Sequence, residues 1–197
     1  MSLARQLPYF LAFLFLLGCQ EQTLDSSAYL DEELDEMSIY HLPSEWHTQS
    51  GELIALEDLR GTPLVSVMIY TACKTACPRL VADMRHIETA VKSKTKKDIK
   101  YLMISIDPTN DTPDKLMQFA KDNQMTDDKW LFLQGTEESV RDFANILAVK
   151  YKQISPIDFS HSNIISVFDR NGVLQFQKEG LGMENDEIIN KIISISK

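Results

Sequence analysis

The residues best equipped for chemistry are Cys73 and Cys77, in the segment Tyr70-Thr71-Ala72-Cys73-Lys74-Thr75-Ala76-Cys77-Pro78. A disulfide between cysteines so close in the chain closes a very short loop and restrains the unfolded state little. Stapling is therefore a poor reason for the pair, and thiol chemistry a better one. Pro78 disfavours helical backbone at Cys77 and suits the first position of a helix. Cys77 is accordingly expected at or near an N-cap, where unpaired N–H groups and the helix dipole stabilise a thiolate. Lys74 adds positive charge. Two thiols on one loop, at least one of them acidified, can form a disulfide or hold a soft metal. A thioredoxin-type reductase is expected to carry Cys-x-x-Cys, whereas three residues separate this pair, which lets both sulfurs converge on one ion. A peroxidase centre of the peroxiredoxin kind wants Thr three residues before its cysteine. Tyr70 and Lys74 stand there instead, which weakens that alternative.

Two thiolates leave copper or zinc under-coordinated, so a third ligand is needed. Of the four histidines, His41 and His47 precede the first apolar strand and His86 lies on the polar side of a helix, so all three read as surface residues. His161 stands in the loop before a later strand, and sequence pattern alone leaves it open as a ligand. Two thiolates and one imidazole form a soft, low-coordinate set that suits Cu(I) and, with an added weak ligand, Cu(II). Structural zinc normally takes four protein ligands, and no fourth Cys or His is evident, so copper is favoured on this count.

The elements that must position these groups alternate between strand and helix. Pro63–Tyr70 is a short apolar run suited to a strand buried on both faces. Leu80, Met84, Ile87 and Val91 then mark an amphipathic helix. Tyr101–Ile106 is a second buried strand, and Thr112-Pro113-Asp114 opens a helix that buries Leu116 and Phe119. Trp130–Leu133 is a third strand. Thr136-Glu137-Glu138 caps a helix with the stripe Val140, Phe143, Leu147 and Tyr151. Ile164–Phe168 and Val173–Phe176 form a hairpin through Asp169-Arg170-Asn171-Gly172, with Asn-Gly supplying positive φ. A helix over Ile188–Ile195 ends the chain's pattern. This order is α/β, with a mostly parallel sheet, helices on both faces and an inserted strand–helix. A thioredoxin-like arrangement fits it best, although order alone leaves other α/β folds open.

The first residues read differently. Arg5 and the apolar run Tyr9–Leu17 have the charge and length of a signal peptide rather than a membrane span. The run ends in Leu16-Leu17-Gly18-Cys19, which resembles a bacterial lipobox, so residues 1–18 are expected to be a lipoprotein signal peptide and Cys19 a lipid attachment site. Export would place the remaining cysteines where disulfides can form. Residues 19–42, rich in Asp and Glu, are expected to be a lipid-anchored acidic linker, and residues 43–197 the folded domain. The net charge of −9 argues against a nucleic-acid partner. The basic stretch Lys92–Lys97 reads as a solvated helix end.

Three stretches taken in order resemble the Sco/SenC family. They are Tyr70–Pro78, then Ile104-Ser105-Ile106-Asp107-Pro108-Thr109-Asn110-Asp111-Thr112-Pro113, then His161-Ser162-Asn163-Ile164 with Asp169–Gly172. A weaker fourth, Gly51-Glu52-Leu53 through Glu57–Gly61, is similar to the hairpin and lead-in before that family's first core strand. The resemblance implies a thioredoxin-like fold with an N-terminal hairpin and Cu(I)/Cu(II) binding by Cys73, Cys77 and His161. It implies a metallochaperone that supports the binuclear copper site of cytochrome c oxidase. Its partners would be that oxidase's copper-site subunit or another periplasmic copper chaperone, met at the membrane through the anchor. Two other roles share the cysteines: a thiol–disulfide oxidoreductase in which Cys73 and Cys77 cycle to keep copper-site thiols reduced, and a copper or redox sensor. Asp107 is a candidate for shaping the site. Lys74 and Ser160 depart from the family pattern, which often has Pro and Asp there, and Asp158 lies two residues before Ser160.

Overall fold

In the computed structural model, residues 33–182 and 184–196 are described. The signal peptide over 1–18, Cys19 and most of the acidic linker lie outside them. The folded part starts before residue 43. Ile39 and Tyr40 sit in a short 3-10 turn and are 1% and 5% exposed, because Ser38 bridges Val173 and Ile39 N–H donates to Gly172 O at 3.0 Å. An apolar Ile-Tyr pair inside the acidic run is what anchors it.

The strands are β1 (Glu45–Thr48), β2 (Leu53–Ala55), β3 (Leu64–Ile69), β4 (Lys100–Ser105), β5 (Trp130–Gln134), β6 (Tyr151–Gln153), β7 (Phe159–His161), β8 (Ile164–Phe168) and β9 (Leu174–Glu179). The helices are α1 (Ala76–Lys94), α2 (Pro113–Asp122), α3 (Glu137–Ile146) and α4 (Asp186–Ile195). Seven strands form one sheet in the order β2-β1-β5-β4-β3-β8-β9. β3, β4 and β5 are parallel, while β1 and β8 flank them antiparallel. This is the α/β, thioredoxin-like order, with the β1–β2 hairpin added at one edge.

Burial explains the central strands. All six residues of β3 are buried, as a strand covered on both faces requires. The expected stripe on α1 is the buried one, with Leu80, Met84 and Ile87 at 0% exposure. Phe119 of α2 meets Phe132 edge-on at 6.0 Å, and Phe143 of α3 meets Trp46 at 6.0 Å and Phe168 at 6.5 Å. Phe132 and Phe168 have opposite parity across the strand register, so α2 and α3 cover opposite faces. The caps form as their residues predict: Thr112 accepts from Lys115 N–H and Thr136 from Ser139 N–H. Gln49 continues the β1–β5 ladder with its side chain, donating to Trp130 O and accepting from Phe132 N–H.

Two expectations are corrected. α3 stops at Ile146 and Ala148 takes a φ of 53°, so Tyr151 does not extend its stripe but opens β6. Among the described residues, β6 and β7 pair with each other alone, as a two-stranded ribbon outside the main sheet. In the β8–β9 turn only Gly172 has positive φ, at +73°. A Cβ there would come within 2.9 Å of the Tyr40 ring and Ser38 Oγ. Gly172→Ala should therefore destabilise the domain by about 1–3 kcal/mol, the cost of a left-handed non-glycine residue, with crowding of Tyr40 added. Urea unfolding followed by circular dichroism measures this; an unchanged midpoint would show that the 38–40 turn is not held by this glycine.

Candidate metal centre

The cysteine segment leaves the carboxyl end of β3, where open α/β sheets build their sites. Tyr70 ends the strand's direction, and Cys73 N–H donates back to Tyr70 O at 3.2 Å to make the first turn. α1 begins at Ala76, so Pro78 is its third residue rather than its first. The first turn of a helix has no internal acceptors for its N–H groups, so a proline costs nothing there. Cys77 is then the second helical residue and points into the core, with 0% exposure.

This reverses the expected division of labour between the sulfurs. The free N–H groups of the first turn point at Cys73, not at Cys77: Cys77 N–H donates to Cys73 Sγ at 3.3 Å. Burial alone would raise the Cys73 pKa, but bonds from the Cys77 and Thr75 amides, the Cys77 thiol and Tyr70 outweigh it and hold the thiol below its ordinary range. Cys77 is driven the other way, first by burial and then by the neighbouring charges of Cys73 and Asp111. Its thiol stays protonated and donates to Tyr70 O at 3.6 Å. Both cysteines are free thiols.

Asp111, which sequence reading did not single out, ties this loop to the next strand. Its carboxylate accepts from Thr71 N–H at 3.0 Å, from the Thr71 hydroxyl, and from Ser105 Oγ at the end of β4 at 2.6 Å. Burial raises its pKa while these bonds oppose the rise. Asp107, the candidate named from sequence, turns away: both its carboxylate oxygens accept from Asn110 Nδ2 at 3.0 Å, closing its own turn. An acid at position 111 carries no sequence signal beyond lying in the same polar stretch.

His161 closes β7. Its Nδ1 meets Ser162 O at 3.1 Å, so Nδ1 is the protonated nitrogen and Nε2 carries the lone pair. Nε2 is buried and has no hydrogen-bond partner among the described residues. Burial lowers the imidazole pKa, keeping it neutral and able to act as a ligand. The ring stands edge-on to Tyr70, with centroids 5.9 Å apart, beside a cleft of about 390 Å³ that Lys150, Lys152 and Glu179 help to line. His41, His47 and His86 are exposed, as expected.

The structure thus brings Cys73 and Cys77 together and leaves His161 across Tyr70 from them. Among the described residues, no three His, Cys, Asp or Glu side chains form a group that could hold a metal ion. The donors match a soft cation in type: one acidified thiol, a second thiol beside it, and a neutral imidazole with an orphaned buried nitrogen. Lys74 and Ser160 are both exposed. Asp158 bonds back to Ser155 within the ribbon turn and does not stand in for an acid beside His161.

Known proteins share this fold. The SCO1 protein homolog of Bacillus subtilis is 29% identical over 192 residues, covering 94% of this chain and 93% of its own. The solved structure of BsSco, a member of the Sco family of cytochrome c oxidase assembly proteins with a disulfide switch, superposes with a TM-score of 0.70. It is 26% identical, with 83% of this chain and 97% of that one covered. Arabidopsis thaliana ScoI, solved with copper bound, gives a TM-score of 0.68 at 17% identity, covering 76% of this chain and 93% of that one. The thioredoxin-like fold is common to them. The chain belongs to the SCO1/SenC family, whose pattern matches it from residue 34 to residue 197.

Proposed function

We propose that this protein is a copper metallochaperone that binds Cu(I)/Cu(II) through Cys73, Cys77 and His161 and passes the ion to an acceptor's thiolates by ligand exchange. The observation that carries this reading is the His161 imidazole, held neutral with a buried Nε2 that no described residue satisfies, on the segment next to the cysteine loop. A buried acceptor without a partner costs free energy, and a metal ion would relieve that cost. Copper as cargo needs soft ligands that release as well as hold, and two thiolates with one imidazole are such a set, Cys77 releasing its proton to solvent as the ion binds. The copper bound to the ScoI relative supports the cargo, and the cytochrome c oxidase assembly role of BsSco's family supports a role near that oxidase, whose copper-site subunit is the acceptor on this reading.

The same reading takes Cys19 as the lipid attachment site after cleavage of residues 1–18, giving an exported, membrane-anchored protein. Ser38 packs against the β8–β9 turn, at the end of the sheet where β3 starts, while the cysteine loop leaves the other end of β3. A tether joined there leaves the metal ligands facing away from it.

A second reading has its own observation. A low-pKa sulfur with slight exposure beside a buried, protonated one is the asymmetry a thiol–disulfide oxidoreductase uses, with Cys73 attacking and Cys77 resolving. The alkylation rate of the reduced protein tests the asymmetry. Because the Cys73 pKa lies below its ordinary value, its thiolate persists to lower pH. The Cys73 alkylation rate by iodoacetamide should therefore fall off at lower pH than that of an unstructured cysteine. Cys77 should stay unmodified until the protein unfolds. Equal rates at the two sulfurs, read by peptide mass spectrometry, would contradict the assignment.

His161→Ala separates the two readings. Loss of a direct ligand should reduce copper affinity by more than the roughly 10- to 100-fold that removing an outer partner costs, while disulfide exchange by the cysteines continues. Competition titration with a Cu(I) chelator checks this, and unchanged affinity would rule out the three-ligand site.

A further inference from the structure

The two segments that supply the ligands are built separately. Cys73 and Cys77 belong to the junction of β3 and α1, inside the main sheet's framework. His161 belongs to the β6–β7 ribbon, which among the described residues pairs only with itself. One side chain touches both. Tyr70, 4% exposed, packs its ring on Phe159 with centroids 5.2 Å apart and edge-on to His161 at 5.9 Å. Its hydroxyl donates to Phe159 O at 3.4 Å and interacts with Cys73. The ribbon strand carrying His161 thus rests on an aromatic ring that issues from the cysteine loop itself.

We propose that Tyr70 is a positioning residue for the metal centre, its ring seating the His161-bearing ribbon against the cysteine loop so that the imidazole can reach an ion held by the sulfurs. The inference rests on the three-ligand reading and adds to it the residue that couples its halves. The ring is the proposed seat, since it contacts both Phe159 and His161 of β7. The phenol hydroxyl is secondary, since its bond to Phe159 O is long. A ribbon with no other strand neighbour gains little order from backbone bonding, and two-stranded ribbons alone are marginal in water.

The test is a double-mutant cycle on Cu(I) affinity with Tyr70→Leu, Tyr70→Phe and His161→Ala. Leu retains apolar bulk without the flat face, and swaps of similar volume are usually tolerated in cores. Tyr70→Leu should lower copper affinity by about 10- to 100-fold, the range for a residue that orients a ligand. The variant carrying both Tyr70→Leu and His161→Ala should then bind copper about as weakly as His161→Ala alone. Tyr70→Phe, which keeps the ring and loses the hydroxyl's interaction with Cys73, should retain the full effect of His161→Ala whatever its own affinity. In the metal-free protein, hydrogen exchange at residues 151–161 should quicken in Tyr70→Leu, with residues 80–91 of α1 unchanged, and should not quicken in Tyr70→Phe. If Tyr70→Leu and His161→Ala multiply independently, or if Tyr70→Phe loses the His161 contribution, Tyr70 is not the seat. Should Tyr70→Leu fail to fold, the Tyr70→Phe arm alone still decides against a ring-based seat if the His161 effect disappears. If His161→Ala leaves wild-type affinity untouched, the three-ligand reading fails instead.

Discussion

A helix begins with amide N–H groups that have no acceptor inside it, and in this protein the first turn of α1 directs them onto one sulfur. The Cys77 amide bonds Cys73 Sγ at 3.3 Å, and the Thr75 amide adds to it. That arrangement decides which cysteine is exposed to chemistry and which is locked in the core. It depends in turn on a fixed loop, because a sulfur displaced by an ångström loses both donors. Asp111 fixes it, through Thr71 on the loop and Ser105 at the end of β4. β3 and β4 are paired in parallel from Leu64 to Ile69, so the anchor is as rigid as the sheet.

The imidazole is held by different means. His161 lies on a ribbon outside the sheet, oriented by Ser162 O on one nitrogen and by the Tyr70 ring, set nearly perpendicular to its own. The site therefore joins a rigid half, carrying the sulfurs, to a half whose position rests on few contacts. On the proposed copper-carrier reading, that difference is useful. Sulfurs fixed in place can keep an ion while the third ligand swings to admit an acceptor's thiolate, and ligand exchange needs an open coordination position at some stage. Burial favours the neutral imidazole, the form that can act as a ligand.

Much of this was legible in the sequence, and the exceptions have physical causes. Apolar runs identified β3, β4, β5 and β8 because strands buried on both faces are nearly all apolar, and Leu80-Met84-Ile87-Val91 identified α1 by its period. The β6–β7 ribbon escaped because Tyr151-Lys152-Gln153 and Phe159-Ser160-His161 have neither length nor alternation; their burial is partial at best. Tyr151 was drawn into the stripe of α3 because it keeps the helical spacing, while the chain breaks at Ala148 for reasons of backbone conformation alone. The proline after Cys77 located the helix start to within two residues but not the direction of its free amides, and so the acidified sulfur was assigned to the wrong member of the pair. Asp107 and Asp111 are four residues apart in one polar stretch, and only the fold tells which of them reaches Thr71.

The central claim is that two sulfurs and one imidazole share a single copper ion. X-ray absorption at the copper edge of the loaded, full-length protein tests it most directly. The account predicts one ion per chain with two sulfur scatterers near 2.2 to 2.3 Å, about the thiolate distance known for zinc, and one imidazole shell that disappears in His161→Ala. A spectrum with sulfur alone, or an imidazole shell that survives that substitution, would contradict it.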